Sequence, residues 1–225
     1  MPENNLLLKG IELLCKSDED VNRLIAPNSE KIITLLHRYI NEVELFNPAY
    51  GLVGAENTDE LTIKHILDSL APAGIISKLA AAAENSASPQ IADIGSGAGL
   101  PGIPLAITQP GCSFTLIERM SRRAGFLHNT KAILGLDNTA IEETQLEKST
   151  PGRFDLITFR AFKPLEPKLL KALFKTCTEK GIIAAYKGKK EKIEEEMNPL
   201  RVNWEAIPYK VPLLDEERHL LVIRK

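Results

Sequence analysis

The pattern of hydrophobic and polar positions changes once along the chain. Up to about residue 83, apolar side chains recur at intervals of three and four positions, which predicts amphipathic helices. One helix is predicted to begin at Asn28 and to end at Asn47-Pro48, because the residue before a proline disfavours helical backbone angles. A second is predicted to begin at Asn57, whose spacing to Glu60 resembles a capping box.

Short apolar runs alternate with helical segments after a polar stretch at residues 84–89, which we interpret as a linker. Such alternation is typical of an α/β fold with a parallel sheet and helices on both faces. The last two strands have prolines and a short link between them, which suggests an antiparallel C-terminal hairpin. The predicted strands are 91–94, 113–117, 154–159, 182–186, 204–211 and 220–224, and the helices among them are 122–134, 164–177, 189–197 and one from about 101. We therefore expect a helical N-terminal extension at residues 1–83 and a separate domain at residues 90–225.

Composition excludes several classes of protein. The 225 residues are 44% hydrophobic and 26% charged, as in soluble globular proteins, which excludes a disordered chain, a collagen and a coiled coil. The 28 basic and 30 acidic residues give a net charge of −2, which excludes a histone-like basic field but allows a local basic patch.

Targeting signals and metal-like cysteine spacings are not expected either. The N-terminus does not have the pattern of a signal peptide, and no apolar run approaches the ~18 residues of a membrane helix. Cys15, Cys112 and Cys177 are far apart and odd in number, which indicates reduced thiols in a cytoplasmic protein without a metal site.

A glycine-rich loop follows the first predicted strand, between Asp93 and Gly102. Glycine admits positive φ and lets a ligand approach the backbone closely. The segment 97–102 fits the dinucleotide fingerprint, with Glu118 about 20 residues after its first glycine to bind a ribose. The spacing Asp-x-Gly-x-Gly-x-Gly, counted from Asp93, resembles instead the first motif of methyltransferases that use S-adenosylmethionine.

The charge of Asp93 favours the second interpretation. A dinucleotide brings a pyrophosphate to the helix N-terminus, and a carboxylate in that loop repels it. S-adenosylmethionine brings an ammonium and a sulfonium, which a nearby carboxylate attracts. An NAD-dependent oxidoreductase that uses the same glycines remains the alternative.

The extended loop and four other blocks of the chain resemble the bacterial family once called glucose-inhibited division protein B. These blocks are 93–105, 65–70, 160–162, 186–188 and 217–220, and the resemblance extends from about Leu6 to the C-terminal strand. Members of that family methylate N7 of one guanine in 16S ribosomal RNA. The chain departs from the family pattern at Gly51-Leu52-Val53 and at Phe159.

The resemblance implies a Rossmann-like methyltransferase domain, S-adenosylmethionine as the cofactor, and 16S ribosomal RNA or the small ribosomal subunit as the partner. It implies that Gly95 and Leu100 line the cofactor site, that Glu118 binds the ribose, and that Leu146 and Glu147 cradle the adenine. The full set of expected cofactor residues is Asp93, Gly95, Gly97, Gly99, Leu100, Glu118, Leu146, Glu147 and Arg160. A ribosome assembly factor that keeps this fold without catalysis is a further alternative.

Methylation of guanine N7 needs no general base, because N7 carries a free lone pair and no proton at neutral pH. Catalysis then consists of holding the sulfonium methyl in line with N7, and we expect no catalytic side chain and no metal. Basic residues are the candidates for contact with RNA phosphates. The substrate candidates are Arg122, Arg123, Lys187, Arg218 and His65. The sequence gives no indication of an oligomeric state.

Overall fold

The computed structural model describes residues 5–83, 88–161 and 163–225. Residues 84–87 of the expected linker and Phe162 of the block at 160–162 lie outside the described residues. The expected division into an extension, a linker and a domain stays a prediction.

A seven-stranded sheet forms the centre of the structure, in the order β3-β2-β1-β4-β5-β7-β6. Strands β1 to β5 are parallel, whereas β7 runs antiparallel to both β5 and β6. The expected parallel sheet and C-terminal antiparallel hairpin are therefore both present. The strands are β1 (Gln90–Ile94), β2 (Ser113–Glu118), β3 (Thr139–Glu143), β4 (Phe154–Arg160), β5 (Cys177–Lys187), β6 (Asn203–Tyr209) and β7 (Arg218–Arg224).

Helices precede the sheet and connect its strands. They are α1 (Asn5–Ser17), α2 (Glu19–Ile25), α3 (Ser29–Tyr50), α4 (Thr58–Leu61), α5 (Asp68–Leu70), α6 (Ala73–Ala83), α7 (Gly102–Thr108), α8 (Ser121–Leu134), α9 (Pro167–Thr176) and α10 (Lys190–Met197). A π-helical turn, Thr62–Leu67, joins α4 to α5.

The sheet has helices on both faces because successive strand residues point to opposite sides. In β4, Leu156 belongs to a core cluster that contains α6, whereas Ile157 belongs to a cluster that contains α9 and α10. A third cluster joins helices α1 to α3 to α7 and α8. The N-terminal helices are thus packed on the helices of the sheet.

The sequence prediction was wrong at the end of α3. This helix continues through Pro48 to Tyr50 and ends at Gly51, whose φ is +57°. The Asn47 side chain stabilises the turn that follows, since its Oδ1 accepts from the N–H groups of Leu52 (2.8 Å) and Val53 (2.9 Å). Pro48 lies in the last turn of the helix, so less than one turn follows it before the chain leaves the helix at Gly51.

Two further predictions need correction. Strand β3 was missed, because Thr139–Glu143 is only partly buried and has no apolar run. Cys177 does not lie late in a helix but begins β5, where burial raises its pKa to about 12. A buried thiol with a raised pKa is a poor nucleophile.

One helical stretch is longer and more apolar than the sequence analysis allowed. Thr58–Ala83 spans 26 residues and could cross a membrane by length and composition alone. However, 67% of its most apolar window is buried inside the protein. Its apolar side chains therefore have partners in the core of the fold.

Candidate functional site

The glycine loop lies at the carboxyl end of β1. The strands that follow β1 in the chain, β2 and β3, lie on one side of it, and β4 and β5 lie on the other, so the direction of the chain across the sheet reverses at β1. Ligands of open α/β sheets bind at this kind of position. Gly95, Gly97 and Gly99 have φ values of +68°, +58° and +91°. Any other residue is strained at such angles, so the loop requires its glycines for conformation as well as for space.

Asp93 anchors the loop from the end of β1. Its side chain is fully buried, and its Oδ2 accepts from Ser96 Oγ (2.6 Å) and from the Gly102 N–H (3.1 Å). Its Oδ1 has no hydrogen-bond partner among the described residues. Burial raises the pKa of Asp93 to about 6, although these two hydrogen bonds and the charge of Arg160 lower it.

Glu118 joins the loop to the end of β2. Its Oε2 accepts from the Gly97 N–H (3.0 Å) and its Oε1 from the Met120 N–H (2.9 Å). The side chain is only 4% exposed, yet it lines a cavity. Each carboxylate oxygen can accept a second hydrogen bond, so Glu118 can also accept from a ligand in that cavity.

This first cavity has a volume of about 280 Å³ and lies outside the ends of β1, β2 and β4. It contains Gly95, Glu118, Arg123, Leu146 and Glu147 of the sequence prediction. Leu146 is buried and Glu147 exposed, so the cavity has both an apolar wall and a polar rim. Met120 and Lys163, which the sequence analysis did not single out, also line it.

Five of the nine expected cofactor residues do not line this cavity: Asp93 and Gly97, described above, and also Gly99, Leu100 and Arg160. Gly99 is packed so closely that a Cβ atom there would overlap the Ile103 side chain. Leu100 is buried in the core that includes the N-terminal helices. Arg160 lies in a neighbouring cavity. A role in ligand binding stays a prediction for each of them.

A second cavity of about 280 Å³ adjoins the first, and Ala161 lines both. It brings together four predicted residues that are far apart in the sequence: His65, Arg160, Lys187 and Arg218. The other side chains and backbone that form it belong to Lys64, Asp68, Tyr186, Gly188 and Tyr209.

Asp68 connects most of the polar groups of this second cavity. Its Oδ2 is 3.3 Å from Arg160 Nη1, and its Oδ1 accepts from Tyr209 Oη (2.9 Å) and lies 3.5 Å from Arg218 Nε. The carboxylate is 3% exposed. The sequence did contain a signal for it, because Asp68 is a lone acid inside the apolar run Ile66-Leu67-Asp68-Ser69-Leu70.

His65 is a hydrogen-bond acceptor in this arrangement. Arg160 Nη2 lies 2.6 Å from His65 Nδ1, and Arg160 Nη1 also donates to the Lys64 carbonyl (2.8 Å). Burial and the positive charge of Arg160 lower the pKa of His65 to about 4. His65 is therefore neutral at physiological pH and fixes the guanidinium of Arg160.

The remaining predicted basic residues already have partners in the protein. Lys187 forms an ion pair with Glu196 (2.7 Å). Arg122 lies 5.2 Å from the centre of the Tyr50 ring and donates to the Ala49 carbonyl. Arg123 donates to the Gly51 carbonyl (3.3 Å), so both arginines connect α8 to the end of α3.

The two departures from the family pattern both have structural roles in the fold. Gly51-Leu52-Val53 form the turn that caps α3 and accepts from Arg123. Phe159, at 1% exposure, is part of the core that contains α9 and α10. In the described part of the chain, no group of three or more His, Cys, Asp or Glu side chains is placed to hold a metal ion.

Comparison with known proteins gives one consistent family. The family model described as rRNA small subunit methyltransferase G matches residues 32–221. The ribosomal RNA small subunit methyltransferase G of Treponema denticola is 35% identical to this chain, and the alignment covers 99% of this chain and 94% of the relative. The protein of the same name from Nitrosococcus oceani is 32% identical, with coverage of 99% and 92%.

Solved structures with the same fold are more distant in sequence. A putative S-adenosylmethionine-dependent methyltransferase from Methanococcus maripaludis superposes with a TM-score of 0.58 at 15% identity, covering 83% of this chain and 91% of its own. A SAM-dependent methyltransferase from Aquifex aeolicus gives 0.53 at 13% identity, with coverage of 69% and 90%. These likenesses support the fold.

Proposed function

Because the chain belongs to the rRNA small subunit methyltransferase G family, we propose that it transfers a methyl group from S-adenosylmethionine to N7 of a guanine in 16S ribosomal RNA. The observation that carries this proposal is the pair of adjoining cavities. One is built around the glycine loop and Glu118, the other around Arg160 and Asp68, and they meet at Ala161.

The first cavity fits S-adenosylmethionine in its chemistry. The buried carboxyl of Asp93 retains one unpaired oxygen beneath the glycine loop, which disfavours a pyrophosphate and favours a cationic ligand. Glu118 offers acceptors for ribose hydroxyls, and Leu146 offers apolar surface for an adenine. Gly97 has open space around its Cβ position, with Gly95 O at 3.8 Å as the nearest atom, so a ligand can approach the backbone there.

Bound S-adenosylmethionine supplies an electrophilic methyl group on a sulfonium. The residues of this chain bind and orient the two reactants. The glycine backbone and Glu118 fix the donor, while the second cavity receives the base. Alignment of this kind can contribute as much as ~7–11 kcal/mol to lowering a barrier.

The second cavity fits a guanine taken out of its stack. Tyr186 and Tyr209, with ring centres 6.2 Å apart, offer aromatic surface, and Arg160 and Arg218 offer donors for an acceptor such as guanine O6. Enzymes that modify a base bring it into such a pocket at a cost of a few kcal/mol.

The state of the titratable groups supports N7 as the acceptor. His65 accepts from Arg160 and has a pKa of about 4, and Asp68 is shared by two guanidinium groups and a tyrosine hydroxyl. Both groups are therefore already engaged by partners within the protein. An atom with a free lone pair and no proton, such as N7, needs no group that removes a proton.

The two alternatives lack support. The family and the fold neighbours are methyltransferases, and the loop acid opposes a dinucleotide pyrophosphate. A non-catalytic assembly factor does not need two adjoining cavities with polar walls. We place the protein in the cytoplasm, where its RNA substrate is found, and retain the expected boundary between residues 83 and 90.

The decisive experiment is methyl transfer to defined RNA. Full-length protein is incubated with labelled S-adenosylmethionine and either protein-free 16S ribosomal RNA or small ribosomal subunits. Methylation at N7 sensitises the nucleotide to reduction and chain cleavage by aniline, so that the position and the atom are read together. We expect label on one guanine and cleavage at that guanine.

The matched control is Gly97→Val, which places a branched side chain at a position with φ of +58° beside the first cavity. This variant should lose donor binding and methyl transfer while remaining folded. Label without aniline cleavage would contradict the N7 assignment, and absence of transfer by the parent protein to both substrates would contradict the proposal as a whole.

A further inference from the structure

The solvent face of α9 carries three lysines that have no function in the site described above. Lys168, Lys171 and Lys175 are all exposed. Their spacing of three and four residues places them on one side of the helix, over about 10 Å of its length. The opposite side is buried through Leu170 and Leu173.

These three residues, the lysine row, differ from the exposed lysines of α10. On α10, Lys190 pairs with Glu194 (3.6 Å) and Lys192 with Glu195 (2.7 Å), so that helix neutralises its own charge. α9 contains no acid at all. Among the described residues, no ion pair joins the lysine row to a carboxylate, although the exposed acids Glu166 and Glu179 flank the helix in sequence.

The lysine row begins at the rim of the first cavity. Leu169 of α9 lines that cavity together with the exposed Lys163. α9 also packs beside the segment Leu146–Lys148, whose Lys148 is exposed. At its far end, the Lys175 carbonyl accepts from the Gly152 N–H (2.9 Å), before β4. Positive charge therefore continues from the mouth of the site across one side of the protein.

We infer that the lysine row binds the phosphate backbone of the RNA strand next to the methylated guanine. The inference rests on the proposed function and names the surface through which the substrate is held. Unpaired lysines in a row suit a polyanion, because each phosphate contact releases condensed counterions and requires no particular base. The guanine itself enters the second cavity, which adjoins the first at Ala161.

The test compares two double variants with the same change of charge. Lys168→Gln/Lys171→Gln removes two cations of the lysine row, and Lys190→Gln/Lys192→Gln removes two self-paired cations of α10. Binding of each full-length protein to a protein-free 16S ribosomal RNA transcript is measured by fluorescence anisotropy over a series of KCl concentrations. Calorimetry with S-adenosylmethionine confirms that each variant retains its cofactor site.

We expect the α9 variant to bind RNA about 25-fold more weakly at 0.1 M salt, with a salt slope reduced by about 1.4, from ~0.7 per single-strand phosphate contact. The α10 variant should stay within about twofold of the parent. Equal losses in both variants would reduce the effect to overall charge and overturn the inference. Unchanged RNA affinity of the α9 variant would also overturn the inference. Binding to phosphatidylserine vesicles is measured in parallel, and an α9 variant that loses vesicle binding but keeps its RNA affinity would overturn it as well. Failure of the parent to methylate the RNA is a different result, since it contradicts the proposed function first.

Discussion

Replacement of Glu118 by alanine tests the first cavity most directly. The carboxylate accepts from the N–H groups of Gly97 (3.0 Å) and Met120 (2.9 Å), and its place at the cavity wall allows it to accept from a ribose as well. The substitution therefore removes one contact from the ligand and two from the protein. We expect both donor affinity and stability to fall.

The magnitudes follow from the burial and the number of contacts. A hydrogen bond to a charged group contributes about 1.5–3 kcal/mol, so donor affinity should fall about 10- to 150-fold. A buried N–H that loses its partner costs about 1–3 kcal/mol. Since water in the cavity can replace part of the lost bonding, we expect the free energy of unfolding to fall by about 2 kcal/mol in total, near the lower end for two groups.

Calorimetry with S-adenosylmethionine measures the first effect and urea unfolding the second. The matched control is Glu143→Ala. Glu143 is the residue of β3 that lies next to Glu118 of β2 in the parallel register. It is exposed, and its side chain accepts from Ser121 rather than from the glycine loop. The control should bind the donor like the parent. If Glu118→Ala, shown to be folded, retains donor affinity within twofold, the assignment of the first cavity is wrong.

Four other predictions follow from the residues around the two cavities. A Cβ atom at Gly102 would lie 2.7 Å from Asp93 Oδ2, so Gly102→Ala should lower the free energy of unfolding by about 1–3 kcal/mol in urea titrations, whereas Gly125→Ala, with open space around its Cβ position, should not. Asp68→Asn removes the charge that holds the guanidinium groups of Arg160 and Arg218. It should lower kcat/KM for RNA about 10- to 100-fold, while the affinity for S-adenosylmethionine in calorimetry stays unchanged. Equal losses of kcat/KM and of donor affinity would mean general unfolding. The His65 pKa of about 4 lies below its unfolded value of ~6.5, so its stabilisation is present above pH 6.5 and is lost as the pH falls towards 4. The free energy of unfolding should therefore fall less steeply over that range in His65→Gln than in the parent. The single-turnover rate of methyl transfer by the parent should stay flat from about pH 6.5 to 8.5. A tenfold rise of that rate per pH unit would contradict N7 as the acceptor.

Local patterns in the sequence determined the arrangement around the first cavity. The alternation of strands and helices predicted the parallel sheet, and the glycines after Asp93 predicted a loop that needs positive φ, which Gly95, Gly97 and Gly99 have. Glu118 could be predicted because it ends the next strand along the chain. The glycine loop and Glu118 lie within about 30 consecutive residues, a range over which spacing in the sequence indicates which groups meet.

Weak or misleading local signals account for the errors in secondary structure. Thr139–Glu143 forms a strand because β2 offers it a parallel partner, not because it is apolar. Pro48 does not end α3, which continues to Tyr50, and Asn47 stabilises the turn beyond it from within the helix. The strand thus depends on a partner elsewhere in the fold, whereas the helix end depends on neighbouring residues of its own segment.

The second cavity was decided by the tertiary structure. The sequence suggested His65, Arg160, Lys187 and Arg218 separately, but it could not show that one buried carboxylate, Asp68, would connect two of them. Their neighbourhood depends on the π-helical turn and α5 lying against the ends of β4, β5 and β7, more than 90 residues away in sequence. A sequence pattern records which side of its own helix or strand a residue occupies, whereas electrostatic and hydrogen-bond pairing depends on distances between elements, which packing alone sets.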